Sequence, residues 1–321
     1  MNFRNFVRSS IMAFAGVVVA FAIGEGIIRI ATANQKNYII EMWRYAKLLK
    51  KQSVDPAVGH DHIPNRTAML ENVAVRINSL GLRGPEPVKN APHRVAIIGD
   101  SIAFGWGVPE DDTLRGNLEK LLPDSIDVIN VGVGNRNIDQ AVSQWIDLRN
   151  KITADTLVIV VAPRATTSVS TKSAGWLVEH SALAAIGLTI FEQLSSGEYG
   201  PQALVDGYKK QWSSPEGKKI IKSAFDKLLK IKNKDKSNII ILDVPEPHDF
   251  NDYKFNFMQQ EIRSLSDKYG FEYVSTLSLL KGPPSSSYWV SDRDVHPNGK
   301  ALKIMADATV GDIKLFYESN K

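Results

Sequence analysis

Residues 94–107 read Arg-Val-Ala-Ile-Ile-Gly-Asp-Ser-Ile-Ala-Phe-Gly-Trp-Gly. Arg94 to Ile98 is an apolar run of strand length that stops at Gly99, the pattern of a short strand covered on both faces. Gly99 lets the backbone turn sharply out of the strand. Ser101 then stands just past the carboxyl end, where open α/β sheets bind their ligands. That is the place for a nucleophile. A serine after a strand is nevertheless most often a helix cap, so Gly99-Asp100-Ser101 carries little weight alone.

Outward from this stretch the chain alternates. Thr113–Leu122 has helical spacing, with Leu114, Leu118, Leu121 and Leu122 apolar. Ile126–Asn130 is strand-like, and Ile138–Leu148 is a helix with Ile138, Ala141, Val142, Trp145 and Ile146 on its apolar face. Leu157–Ala162 and Ile239–Val244 are continuously apolar strands. Phe257–Tyr269 is helical, Glu272–Ser275 an edge strand and Ala301–Leu315 a closing helix. This rhythm predicts an α/β fold with a doubly wound, mostly parallel sheet over 93–321. Residues 165–237 interrupt it. Helical patterning at Ala182–Gln193 and Lys218–Lys230, with a polar, flexible link at Ser195–Gln202, predicts a helical insertion beside the active-site end of the sheet.

Upstream, residues 34–57 carry apolar residues at three- and four-residue steps, which predicts a juxtamembrane amphipathic helix. The proline-rich stretch from Asp55 to Pro92 reads as an extended lead-in with short strands, so 34–92 forms one lead-in region. At the start, Arg4 and Arg8 precede the uncharged run Ser9–Ile23, and Ile27 and Ile28 come after Gly24-Glu25-Gly26. With Glu25 tolerated near the far interface, Ser9–Ile28 has the roughly 20 residues a bilayer asks for. Residues 1–33 are therefore expected to be a transmembrane anchor, its basic flank cytoplasmic and the rest of the chain extracytoplasmic. Ala31-Thr32-Ala33 keeps open the reading as a cleaved signal. Glu25 and Arg29 fit poorly between a hydrophobic region and its cleavage site.

Composition excludes several classes of function. The 321 residues contain no cysteine, which removes disulfides, thiolate chemistry and cysteine-ligated metals. The net charge of +4 is slight, although Tyr208–Lys236 holds ten lysines. Such an excess attracts anionic lipid or an acidic polymer; the plainer reading is a solvated helix face. His60, His62, His93 and His180 form no metal-ligand spacing. No phosphate-cradling loop, zinc pattern or nucleic-acid module is present in the sequence, so neither a metal, a cofactor nor nucleic acid is expected.

The far end of the chain supports Ser101. Residues 291–299 read Ser-Asp-Arg-Asp-Val-His-Pro-Asn-Gly, just before the last helix. His296 could act as general base to Ser101, with Asp294 or Asp292 orienting the ring and stabilising the imidazolium. The competing reading makes His296 a surface loop residue and Asp294 or Asn298 a helix cap. Phe104 and Trp106 are groove or core residues. His248 and Asp249, after the fourth strand, read either as pocket-lining residues or, more plainly, as surface turn residues.

Together these stretches resemble the SGNH/GDSL hydrolases over most of the chain. Gly99-Asp100-Ser101 looks like the family's first block and His296-Pro297-Asn298 like its last. Gly24-Glu25, Ile77-Asn78-Ser79-Leu80-Gly81-Leu82-Arg83-Gly84, Phe104-Gly105-Trp106-Gly107-Val108 and Pro245-Glu246-Pro247 are similar to a membrane-anchored bacterial branch. The resemblance implies a flavodoxin-like three-layer fold, with Ser101 as nucleophile, His296 as base and Asp294 as its partner. Arg293 occupies the usual place of the aspartate, three before the histidine; Asp294 and Asp292 flank it. For the oxyanion, the resemblance implies the Ser101 backbone with the second loop, where spacing from Asn130 puts the position on Asn135 and not on Gly134, although the backbone N–H of either could serve. Arg164 stands where the family places an asparagine. An arginine is longer, charged and differently aimed, and losing one well-placed donor costs about 3 kcal/mol. The implied activity is a serine esterase removing short acyl (acetyl) groups from an extracytoplasmic glycan or lipid-linked substrate. An O-acyltransferase, or a non-catalytic glycan- or partner-binding protein on the same fold, is the alternative.

Overall fold

A computed structural model describes residues 3–169, 175–196 and 200–319. A long helix α1 (Phe3–Ala31) leads to α2 (Tyr38–Leu49), which starts where the Asn37 side chain accepts from the Ile40 N–H. Two antiparallel hairpins come next, β1 (Lys50–Gln52) with β2 (His60–His62) and β3 (Arg66–Leu70) with β4 (Val73–Ile77). The second turns at Glu71-Asn72, both left-handed at φ 50° and 59°, as tight two-residue hairpins require. Tyr45 and Leu49 of α2 pack with Leu70, Val75 and Ile77 against Phe104 and Trp106, forming a small core of their own over the segment after Ser101.

The main sheet has five parallel strands: β5 (His93–Ile98), β6 (Ile126–Asn130), β7 (Thr156–Val161), β8 (Asn238–Asp243) and β9 (Glu272–Ser275). Their spatial order is β6-β5-β7-β8-β9. Val95–Ile98, all of β7 and Ile239–Leu242 are buried because helices cover both faces. On one side lie α4 (Leu114–Leu121) and α12 (Gly299–Ser319), which pack on each other; α5 (Ile138–Leu148), α9 (Pro215–Asp235) and α10 (Asn256–Tyr269) lie on the other. The order in which strands are added therefore reverses between β5 and β7, and a crevice opens at their carboxyl ends. A short helix α3 (Ser101–Phe104) begins in that crevice.

Three departures from the sequence reading matter. The region 165–237 is not wholly an insertion. Ile220, Ile221, Ala224, Phe225, Leu228 and Ile231 repeat at three- and four-residue steps and bury α9 against α5 and β8 as the ordinary crossover between β7 and β8. Only α6 (Trp176–His180), α7 (Ala182–Ser196) and α8 (Pro201–Ser213) are extra. Of the link expected at 195–202, residues 197–199 lie outside the described residues, and Pro201 and Gln202 open α8. Finally, the stretch before α12 is not the surface loop of the competing reading for His296. After α11 (Leu277–Leu280), β10 (Trp289–Ser291) and β11 (Asp294–Pro297) pair as a hairpin too short for periodicity to disclose.

Candidate active site

Ser101 is the first residue of α3, where Asp100 accepts from the Ile102 N–H at 2.9 Å and so turns the chain from strand to helix. Arg83, itself 1% exposed, fixes the segment from Phe104 to Val108. Its guanidinium donates to the carbonyls of Phe104, Gly105 and Val108 and pairs with Glu110. The arginine of the 77–84 stretch thus holds the segment behind the serine.

From the other end of the chain, β11 brings Asp294 and His296. Residues two apart on a strand share a face, so an aspartate two before the histidine reaches its ring without a turn. The Ser101 Oγ lies 2.8 Å from His296 Nε2, and His296 Nδ1 lies 2.6 Å from Asp294 Oδ1. Asp294 also accepts from the His296 N–H at 3.0 Å and, on its other oxygen, from Trp106 Nε1 at 2.7 Å. Burial pushes the Asp294 carboxyl up, but the hydrogen bonds and charge of His296 with the Trp106 N–H outweigh it and leave the group below its ordinary value. Asp292 is exposed in the hairpin turn; Asp294 is the carboxylate on the ring.

The second loop, after β6, is clamped. Gly134 donates its N–H to Tyr45 Oη at 2.9 Å, while its carbonyl meets Lys50 Nζ at 3.1 Å and His60 Nε2 at 3.2 Å. A Cβ at Gly134 would stand 2.8 Å from the Tyr45 ring, so the position takes glycine only. The Gly134 N–H is therefore spent on Tyr45 and is not available to an oxyanion, a correction to the expectation from sequence. Asn135, left-handed at φ 59°, lines the cavity instead; no hydrogen bond among the described residues uses its N–H or that of Ser101.

A cavity of about 540 Å³ holds this set, with Asp100, Ser101, Asn135, Arg164, Asp294 and His296 among its walls. Arg164 is exposed, and its side chain forms no ion pair or hydrogen bond among the described residues; its charge acts on Asp100, Tyr38 and Tyr208. Burial raises the Asp100 carboxyl, with the Ile102 N–H, His296 and Arg164 opposing.

Of two further wall residues, Tyr38 carried no functional signal in the sequence and His248 only the lesser of two readings. Tyr38 of α2 lays its ring 5.7 Å from that of His296 and roofs the site. His248, expected in a surface turn, lines the cavity with Nδ1 2.5 Å from the buried Glu246, whose hydrogen bond raises the imidazole's pKa. Asp249 is a surface turn residue. Trp106 and Phe104 are core residues at 2% and 0% exposure. A buried indole N–H needs an acceptor, and that was the one available hint that Trp106 would reach a carboxylate.

No protein-family model and no curated protein matches the sequence. Among solved structures, similar ones include a carbohydrate acetylesterase family member from Sinorhizobium meliloti, at 12% identity over 70% of this chain and 98% of that one, TM-score 0.43. An acetylxylan esterase from Geobacillus stearothermophilus is 15% identical over 70% and 94%, TM-score 0.42. A psychrotrophic esterase from a Pseudoalteromonas species is 13% identical over 70% and 99%, TM-score 0.43. Likenesses of this order carry no inference about chemistry, which rests on the geometry of the site itself.

Proposed function

We propose that the chain is a serine ester hydrolase of the SGNH/GDSL type, tethered by α1 and acting on short acyl esters of an extracytoplasmic glycan or lipid-linked substrate. The observation that carries the reading is the unbroken line Ser101 Oγ–His296 Nε2 at 2.8 Å and His296 Nδ1–Asp294 Oδ1 at 2.6 Å. His296 takes the Ser101 proton as Oγ attacks the ester carbonyl carbon, and Asp294 stabilises the imidazolium. The backbone N–H groups of Ser101 and Asn135 receive the oxyanion, with the Arg164 guanidinium on the same cavity wall. Collapse breaks the bond to the alcohol, which leaves with the proton from His296. Water, deprotonated by His296, then cleaves the acyl-serine and releases the acid. No step calls for a cofactor. A binding protein on this fold would be favoured by an ion pair neutralising Arg164; among the described residues it has none.

The test is a fluorophosphonate probe and p-nitrophenyl acetate on the full chain in detergent, beside Ser101→Ala. Labelling should vanish and turnover fall by about 10⁴-fold or more in the variant. Undiminished labelling of Ser101→Ala, or a folded wild type that neither labels nor turns over, sinks the reading.

A further inference from the structure

Glu25 interrupts the apolar run of α1, and its carboxylate is not free. It accepts from the N–H groups of Ala182 at 3.1 Å and Leu183 at 3.0 Å, and from the Ser181 hydroxyl at 2.8 Å. These are the first donors of α7, which helix geometry leaves unpaired. A residue more than 150 positions away in sequence therefore caps α7 from the end of α1. Arg29 pairs with the same carboxylate at 2.6 Å. The absent side chain of Gly24 admits the Leu183 side chain to 3.0 Å of where a Cβ would stand. Trp43 of α2 donates to the Val178 carbonyl of α6 at 2.7 Å. Three separate contacts, the Glu25 cap, the Gly24–Leu183 approach and the Trp43 hydrogen bond, thus fasten α6 and α7 to the junction of α1 and α2.

The helix fastened there is unlike the surface helices of the main domain. From Ala182 to Phe191 it carries no charge, and its one hydroxyl, on Thr189, bonds back to the Ala185 carbonyl at 3.0 Å. Ala182 and Ala185 face inward, whereas Ile190 is 46% exposed and, on α6, Trp176 is 72% and Leu177 52% exposed. A helix facing water normally turns charge outward; contiguous exposed apolar surface marks a contact site. Continuity with α1 names the occupant. Phe3–Ile23 is exposed on every side, and only at Gly24, Glu25, Gly26 and Ile28 does α1 become half-buried, where α7 begins. The exposed apolar length of α1 thus ends where the uncharged run of α7 begins.

We propose that α6 and α7 are seated in the bilayer that α1 crosses, the outer face of α7 lying at the boundary of headgroups and acyl chains, with Glu25 as its lock. This rests on α1 being a membrane span and is independent of the chemistry at Ser101. A carboxylate at the end of a span is costly unless paired, and the trans cap supplies the pairing. Because α2 packs on α7 and lends Tyr38 and Met42 to the cavity wall, the seating holds the cavity close to the membrane surface.

The cysteine-free chain makes the test direct. Full-length Val18→Cys, Leu177→Cys, Ile190→Cys and Lys222→Cys proteins are nitroxide-labelled and reconstituted in phosphatidylcholine–phosphatidylglycerol vesicles. Collision with oxygen is compared with collision with a water-soluble nickel chelate. Labels at Leu177 and Ile190 should favour oxygen several-fold, as at Val18, and Lys222 should favour the chelate. Adding Glu25→Ala, or Gly24→Val where the first variant fails to fold, should move the Ile190 label toward water and leave Val18 unchanged. Chelate access at Ile190 equal to that at Lys222 overturns the seating, and a water-exposed Val18 overturns its premise. Spin–spin broadening at Ile190 with loss of oxygen access would assign the face to a second copy and overturn the bilayer as occupant. No response of Ile190 to either added variant overturns the lock.

Discussion

The Asp294 carboxylate is engaged at both oxygens, one on His296 and one on Trp106, and each bond has a separable consequence. Asp294→Asn presents an amide to Nδ1 and favours the tautomer whose Nε2 carries the proton, which cannot accept from Ser101. Turnover of p-nitrophenyl acetate should fall by about 10⁴-fold with the fold intact. Trp106→Phe leaves a buried carboxylate oxygen without its donor, at a cost of about 1–3 kcal/mol readable as a lower urea midpoint. Glu71 supplies the pH dependence. It sits at the tip of the β3–β4 turn, with Oε1 buried and without a hydrogen-bond partner among the described residues. Burial, then the charges of Asp294 and Glu41, push its carboxyl up to about 7, against the pull of His296. A raised value means that the folded chain holds the proton more tightly than the unfolded one. Stability is thus lost as pH climbs from the ordinary glutamate range through about 7. Glu71→Gln should raise Tm at about pH 8 and leave it unchanged at about pH 4. Calorimetry at the two pH values checks this; a gain at low pH only would reverse the sign and refute it.

At the level of elements, α2 acts on the site through the loop after β6. Tyr45 Oη accepts from the Gly134 N–H and also lies 2.7 Å from His62 Nε2, so one phenol joins α2, the β1–β2 hairpin and the loop that presents Asn135. Tyr45→Phe strands a buried backbone N–H and should cost about 1–3 kcal/mol. If Asn135 receives the oxyanion, kcat should fall by about tenfold or more while KM holds, since the loss is felt in the transition state. An unchanged kcat in a destabilised protein would separate the loop from catalysis. The β10–β11 hairpin makes a related point. The Asp-x-His spacing of 294 and 296 works because the segment is extended, and only the pairing with β10 extends it.

Across the whole molecule, charge and apolar surface divide the work. Three of the ten lysines in Tyr208–Lys236 are held in ion pairs, Lys218 with Glu261, Lys222 with Asp226 and Lys227 with Asp139, whereas α1 and Ala182–Phe191 of α7 offer apolar surface. Membrane attachment through α1 and α7 is therefore expected to survive high salt, which screens surface charge but not apolar burial. Release of the full chain from vesicles by a salt wash would point back to the lysines. Cleavage after Ala33 would remove Glu25 and leave the first N–H groups of α7 without their acceptor. These 321 residues, expressed and extracted from membranes, should accordingly keep α1 and the 35.5 kDa of the expressed chain. A mass corresponding to a chain starting at Asn34 would show a signal segment instead.

Local pattern was enough to set the alternation of strands and helices, because each buried strand must be apolar throughout and each covering helix must repeat at three to four residues. It determined the placing of Ser101 at a strand end, since Gly99 and the run before it are local. It also marked His296, but left two aspartates open and put the oxyanion donor on either of two residues. Those choices are long-range. Asp294 is selected by a hairpin of short strands, Gly134 is withdrawn by a phenol 89 positions away, and α7 is capped from the end of α1. No local periodicity encodes a hydrogen bond between distant segments, so only the tertiary structure decides them.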